Sequence, residues 1–308
     1  MSNAARFLPL IVTVAILSWA SAYPVVRIAL RDLPPVPLAA ARYAVAAMLA
    51  GGWLAWARPP APARGDWPRI LACGGIGIAL YNILFNTGEV TVSAGAASLL
   101  ISAMPLIAAL IAVAVMGERL SRWGWAGSLC SFAGVVLIAQ GQVGGVALGS
   151  GATLVFAAAV CGALYTTLQK KLVLRYGALS SICYILIAGA LWLSPWLPQA
   201  LMGLRGAPVR CWASVLELGI FPAAIGYAAW AFVIGHMGAA RGAGLLYLLP
   251  PATLVLAFVL TGEIPSARTL VGGAIVMAGV VVTNTYGHPG RQGRRTAATG
   301  KSAVTAKE

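Results

Sequence analysis

Residues 99–118 and 245–263 share one pattern at an offset of 145. Each ends on a glutamate that follows a proline by thirteen residues, Pro105 to Glu118 and Pro250 to Glu263. The same offset superposes Gly127 on Gly272 and the run Ala133 to Val136 on Ala278 to Val281, so the chain reads as two related halves. With 60% hydrophobic and 9% charged residues and a mean hydropathy of +0.88, neither half has enough polar surface for a water-soluble globule. About 20 apolar residues cross a bilayer as a helix. Windows of that kind fall at 7–30, 36–57, 67–88, 93–116, 122–139, 150–169, 179–197, 212–235, 240–261 and 267–286, five in each half. An odd number sends the second copy through the membrane from the opposite face, which relates the halves by a pseudo-two-fold axis in the membrane plane. The expected fold is an all-α integral membrane protein of ten transmembrane helices. It comprises two inverted five-helix repeats, at 7–140 and 148–286, around a central cavity, and a disordered basic tail at 287–308.

Threading the spans alternately from an inside N-terminus places fifteen lysines and arginines on the inner side. Five fall outside, namely Arg27, Arg31, Arg205, Arg210 and Arg268, and Arg42 lies within the second span. That bias obeys the positive-inside rule, so both termini are expected on the cytoplasmic side of a bacterial inner membrane. The net charge of +14 is thus a topology signal. Its residues are dispersed over short loops and the tail, which argues for a lipid bilayer and against nucleic acid as the partner. Ala20-Ser21-Ala22 has the form of a signal-peptidase site, but the apolar run continues to Leu30 and its removal would leave the first half one span short. The cysteines, Cys73, Cys130, Cys161, Cys183 and Cys211, stand singly, without metal or disulfide spacing, and read as small packing residues. No metal and no cofactor is expected.

Trp19-Ala20-Ser21-Ala22-Tyr23 followed by Arg27, Ser93-Ala94-Gly95 ahead of Leu99-Leu100, Pro105 with Met116-Gly117-Glu118, Gly238-Ala239-Ala240-Arg241-Gly242, and Pro250 with Thr261-Gly262-Glu263 occur in that order. In these motifs, their duplication and the span count, the chain resembles the ten-helix EamA-type members of the drug/metabolite transporter superfamily over residues 7 to 286. The resemblance implies a cavity between the halves and export of amino acids or other small metabolites. Bacterial exporters of aromatic and other neutral amino acids are nearest in size and layout. Two similar halves that can exchange their packing also supply a mechanism for alternating access.

Polar and aromatic groups at membrane depth are the candidates for such a cavity, because lipid-facing unpaired polar atoms are costly. In the third span, helical spacing stacks Tyr81 over Phe85 and Asn82 over Asn86. Headgroup anchoring would explain the rings but not two amides at that spacing. Tyr227 and Trp230 share a face of the eighth span and match Asn82 and Phe85 by the repeat. Trp19 and Tyr23 in the first span face a partly matched set in the sixth, Tyr165, Thr166 and Gln169, with Tyr23 paired to Tyr165. Core packing accounts for about half of these rings equally well. Ser102 and Tyr247 occupy equivalent positions one turn before Pro105 and Pro250, which would make the cavity chemically lopsided. The prolines read either as hinges or as static kinks.

Glu118 and Glu263 close equivalent spans, one at each face, and are expected to gate by capping the next helix or pairing with Arg119, Arg122 or Arg268. Arg42 is read as snorkelling to the interface with its stem buried, with attraction of a substrate carboxylate as the other reading. Gly127 and Ser131 in the fifth span and Ala274 and Ala278 in the tenth have small-xxx-small spacing for close helix contact, within the chain or between protomers. None of the seven acidic residues lies at mid-membrane, which favours a facilitator or coupling through a peripheral group such as Glu217 or Glu89. Carriers of phosphorylated metabolites would call for several cavity cations, and drug carriers coupled to protons for a buried carboxylate. A membrane-embedded enzyme would need clustered nucleophiles, acids or metal ligands, whereas His236 and His288 fall in a loop and in the tail.

Overall fold

A computed structural model describes residues 3–116, 121–237 and 245–286; Glu118 and the tail lie outside the described residues. Ten apolar helical segments follow one another among the described residues: α1 (Asn3–Ala29), α2 (Pro35–Ala57), α3 (Arg64–Glu89), α4 (Ala94–Ile101, continued by Met104–Met116), α5 (Arg122–Gln140), α6 (Gly151–Tyr176), α7 (Ala178–Leu193), α8 (Val209–Val233), α9 (Leu246–Thr261) and α10 (Ala267–Tyr286). The windows read from hydropathy fall on these helices. A short amphipathic helix, Leu197–Arg205, follows α7 and packs on α2; the window 179–197 did not anticipate it.

Local chemistry sets the ends. Ser93, Ser121 and Ser150 cap α4, α5 and α6 by accepting from Ala96 N, Gly124 N and Thr153 N. Pro35 opens α2, where its missing N–H costs nothing. Gly262, at φ 68°, ends α9 in the left-handed region.

The α5–α10 crossing displays the two-fold relation directly. Gly127 lies against Gly279 and Gly134 against Gly272, so each glycine meets the repeat partner of the other. Between them, Ser131 Oγ donates to Val276 O at 3.0 Å, a pair separated by 145 residues. Reciprocal contacts of this kind, with the two chains running in opposite senses, are what an in-plane two-fold axis through the crossing requires. The small-residue stripe needs a correction here. Gly127 and Ser131 are at the crossing as expected, but Ala274 and Ala278 are exposed. Gly272, Val276, Gly279 and Thr283 make the contact, because the symmetry must present the same face of both copies.

Two ion pairs obey the same relation with their charges exchanged. Asp32, after α1, binds Arg210 at the start of α8 through both carboxylate oxygens, at 3.0 and 3.1 Å. At the opposite end of the bundle Arg175, in the last turn of α6, lies 2.8 Å from Asp66 at the start of α3. The Arg210 guanidinium hydrogen-bonded to Asp32 holds that carboxyl below the usual carboxylate range. Its contribution to stability is present above the unfolded value and is lost as pH falls through the depressed one.

A Cβ added to Gly134 would lie 2.6 Å from Gly272 O and 2.8 Å from Val276 N, both backbone atoms that cannot yield without separating the helices. Gly134→Leu should therefore cost at least about 1–3 kcal/mol of stability. Gly51→Ala, where no atom lies within 4 Å of the new methyl, should cost none. Thermal unfolding of the two variants in detergent, followed by circular dichroism, checks the contrast.

Candidate functional site

Four departures from regular α-helix converge on the centre of the bundle. In α3 the segment Gly74–Leu80 winds as π-helix, and in α8 so does Phe221–Gly226, where the repeat superposes Gly77 on Pro222. Pro222 has no N–H to close an α-turn. The glycines of α3 let the chain approach its neighbours closely: a Cβ on Gly74 would lie 2.6 Å from Gly189 N in α7. Helix α4 breaks at Ser102 and Ala103, ahead of Pro105, and α9 begins with a 3-10 turn over Leu246–Leu248, ahead of Pro250 and Pro251. Side chains also bond to carbonyls of the two π segments. Asn82 Nδ2 donates to Ile78 O at 2.7 Å, and Trp19 Nε1 donates to Pro222 O at 3.0 Å.

Between these elements lies a cavity of about 480 Å³, within the range of roughly 300–1,000 Å³ usual for small-molecule sites. Gly77, Ser102, Pro105, Pro222, Leu246 and Tyr247 line it, so both halves contribute their irregular backbone to one wall system. Two groups of rings form the rest. Trp19 stands 5.5 Å from Tyr227 and 5.3 Å from Trp230, centroid to centroid. Phe85 lies 5.4 Å from Tyr23 and is stacked on Tyr81 at 5.7 Å. Gly226 leaves room for the Trp19 indole, whose Nε1 would lie 2.8 Å from a Cβ there.

Of the twelve residues singled out from sequence for a cavity, eleven line this one: Trp19, Tyr23, Tyr81, Asn82, Phe85, Ser102, Tyr165, Gln169, Tyr227, Trp230 and Tyr247. Asn86 does not. It is fully buried and donates to Pro35 O at 3.0 Å, tying α3 to the first turn of α2. Asn82, although at the lining, spends its amide N–H groups on Ile78 O and on the Tyr43 hydroxyl. Pro105 lines the cavity, whereas Pro250 is buried behind it.

Arg42 also requires a correction. Its side chain does not reach for the interface: the residue is 5% exposed and lines the cavity, its guanidinium 5.1 Å from the Tyr43 ring centroid. The neighbouring Tyr43 was missed in sequence. An adjacent Arg-Tyr pair inside an otherwise apolar span was the available signal.

The cavity reaches Gln169, Val173 and Ala178 at the end of the bundle that carries the α6–α7 connection, where Thr166 is exposed. A polar cluster centred on Arg27 lies at the other end, outside the cavity lining. Arg27 Nε lies 2.5 Å from Glu263 Oε1, and its Nη1 donates to Glu89 O and to Val92 O. Glu263 Oε2 accepts from Ala94 N at 2.9 Å, and Gln142 bridges Ser93 N to the Thr269 hydroxyl. Glu263 thus joins α9 to α1 and caps α4. It pairs with none of the arginines expected from its sequence neighbourhood, because the repeat topology sets α1 and α9 side by side. Glu89 is 1% exposed with neither carboxylate oxygen hydrogen-bonded, and Glu217 Oε1 accepts from Ser21 Oγ at 2.6 Å. No group of three or more metal-binding side chains comes together among the described residues.

The model of the EamA-like transporter family matches residues 7–140 and 149–285. The chain belongs to that family. It is 39% identical over 272 residues to the "Probable terminal-alkyne amino-acid exporter" of Streptantibioticus cattleyicolor, covering 87% of this chain and 90% of that protein. Similarity extends to a "Probable amino-acid metabolite efflux pump" of Salmonella typhimurium, 28% identical over 93% of this chain and 96% of the relative. A crystal structure 22% identical in sequence superposes with a TM-score of 0.59 over 89% of this chain and 95% of its own, a likeness of fold. Membership makes the chain a multi-pass membrane transporter.

The different duties of two polar residues can be separated. Asn86→Ala should destabilise the fold by about 0.5–1.5 kcal/mol, since it removes the buried hydrogen bond that ties α3 to α2. Gln169→Ala, at the cavity mouth, should leave thermal stability in detergent unchanged.

Proposed function

We propose that this transporter exports small zwitterionic metabolites, amino acids first among them, by alternating access through the central cavity, and that it performs no chemistry on them. The observation that carries the reading is the cavity itself. It lies between the two inverted halves and is lined by the irregular backbone and paired rings of both. The printed names of the relatives point to amino acids or their metabolites as cargo. Aromatic walls suit an apolar or aromatic amino-acid side chain, and the faces of Trp19 and Trp230 suit an ammonium group. The residues proposed to meet substrate are the eleven lining residues named above; Asn86 acts in the fold instead.

The positive-inside bias orients the end that carries the Arg27 cluster outward and the mouth at Gln169 and Val173 toward the cytoplasm. The Arg27–Glu263 cluster is then the outer gate, and the breaks before Pro105 and Pro250 are the hinges about which the halves rock. Both termini lie in the cytoplasm. Carriage needs no obligatory ion, since Arg27 already holds Glu263 by an ion pair and no carboxylate lines the cavity.

Proteoliposomes preloaded with unlabelled amino acids and given labelled threonine, methionine or phenylalanine outside, without an ion gradient, should accumulate label saturably. Failure with every one, by protein shown to be folded, rejects the amino-acid reading. Gly162→Trp, which fills the cavity beside the flexible tip of Met104, should lower exchange at least about 10-fold while leaving the fold intact. Loss of the outer gate has its own signature. Val92→Cys in a Cys130→Ser background should resist a membrane-impermeant maleimide and become reactive once Glu263→Gln is added. Equal labelling in both would remove the gate.

A further inference from the structure

The guanidinium of Arg42 is a cation inside the cavity with no anion assigned to it. Among the described residues no hydrogen bond or ion pair holds it, and its Nε is buried without a partner. Its contact is the face of Tyr43. A charge withdrawn from water is costly unless paired, and arginines inside membrane spans ordinarily face a cavity and meet a counter-ion. Glu217 on α8 and Glu89 on α3 are both within electrostatic reach. Glu217 does not line the cavity, and one of its oxygens is committed to Ser21. Glu89 likewise lies outside the lining, behind the outer gate.

We propose that Arg42 is the receptor for the carboxylate of the cargo, so that the site selects compounds with a free carboxyl group joined to an apolar or aromatic body. The inference rests on the reading of the cavity as the transport site and adds the chemical feature it recognises. A planar guanidinium offers two parallel N–H donors to one carboxylate, a match that an ammonium point charge does not reproduce. The rings of Tyr23, Tyr81 and Phe85 line the same cavity and form the surface for the apolar body. A single unpaired cation also distinguishes this site from one for phosphorylated cargo, which requires several.

The test compares phenylalanine with phenylalaninamide, which keeps the ring and the ammonium and lacks the carboxylate. In wild-type counterflow the amide should inhibit at least about 10-fold more weakly than phenylalanine, and Arg42→Gln should raise the KM for phenylalanine about 10- to 100-fold. The weak inhibition by the amide should change no more than about twofold in that variant, since the lost contact is absent from it. Arg42→Lys should recover part of the KM, because charge survives and the fork does not. A structural role for Arg42 would instead move both compounds together. Equal potency of acid and amide on the wild-type protein overturns the proposal without any variant, which covers the case of an Arg42→Gln chain that does not fold. Amino-acid exchange with an unshifted KM in Arg42→Gln overturns the proposal and leaves the amino-acid reading standing. No exchange of any carboxylate-bearing compound by the wild type overturns both.

Discussion

A helix in a bilayer must satisfy its own backbone, and four departures from regular α-helix among the described residues meet at one place. The π segments of α3 and α8, the break in α4 and the 3-10 start of α9 all border the same cavity. Irregular backbone at membrane depth is tolerated where protein or a water-filled space can satisfy it. Here Asn82 and Trp19 donate to carbonyls of the two π segments. The cavity is therefore what permits the irregularities, and the irregularities are what give the cavity its shape.

The paired halves supply the second constraint. Because the α5–α10 crossing exchanges equivalent glycines across a two-fold axis, features built in one half recur in the other at the opposite end of the bundle. The Asp32–Arg210 and Asp66–Arg175 pairs recur in this way. What does not recur carries directionality. The Arg27–Glu263 ion pair joins α1 to α9 at one end, while the cavity lining runs out toward the other. In the proposed alternating-access reading, a backbone symmetric between the halves with side chains that differ gives two packings of similar form and unequal contacts, whose balance a bound cargo can shift.

Charge within the bundle is sparse and specifically placed. Glu263 is matched by Arg27 and by a helix-start amide; Glu217 is matched in part by Ser21. Arg42 is left facing the cavity without an anion. In a low-dielectric setting such an imbalance weighs more than any single apolar contact of the lining. In the proposed reading the aromatic surfaces select the body of the cargo, and Arg42, the one cation among the described lining residues, selects its charged end.

Amphipathic detail was of little use in reading this chain, and repetition was of great use. Span number, the odd count per half and the 145-residue offset determined from sequence alone that the chain is a ten-helix inverted repeat. Helical spacing with polar and aromatic residues inside apolar windows also located most of the cavity lining, because lipid leaves such residues few other places to face. Tertiary structure decided what depends on partners distant in sequence. It assigned Asn86 to a helix tie, turned Ala274 and Ala278 outward, joined Glu263 to Arg27 rather than to a nearby arginine, and brought Arg42 inward. The π winding of α3 and α8 was likewise invisible beforehand. A one-residue change in hydrogen-bond register leaves no period in the sequence; in α3 it accompanies the close approach of Gly74 to α7, more than a hundred residues away in the chain.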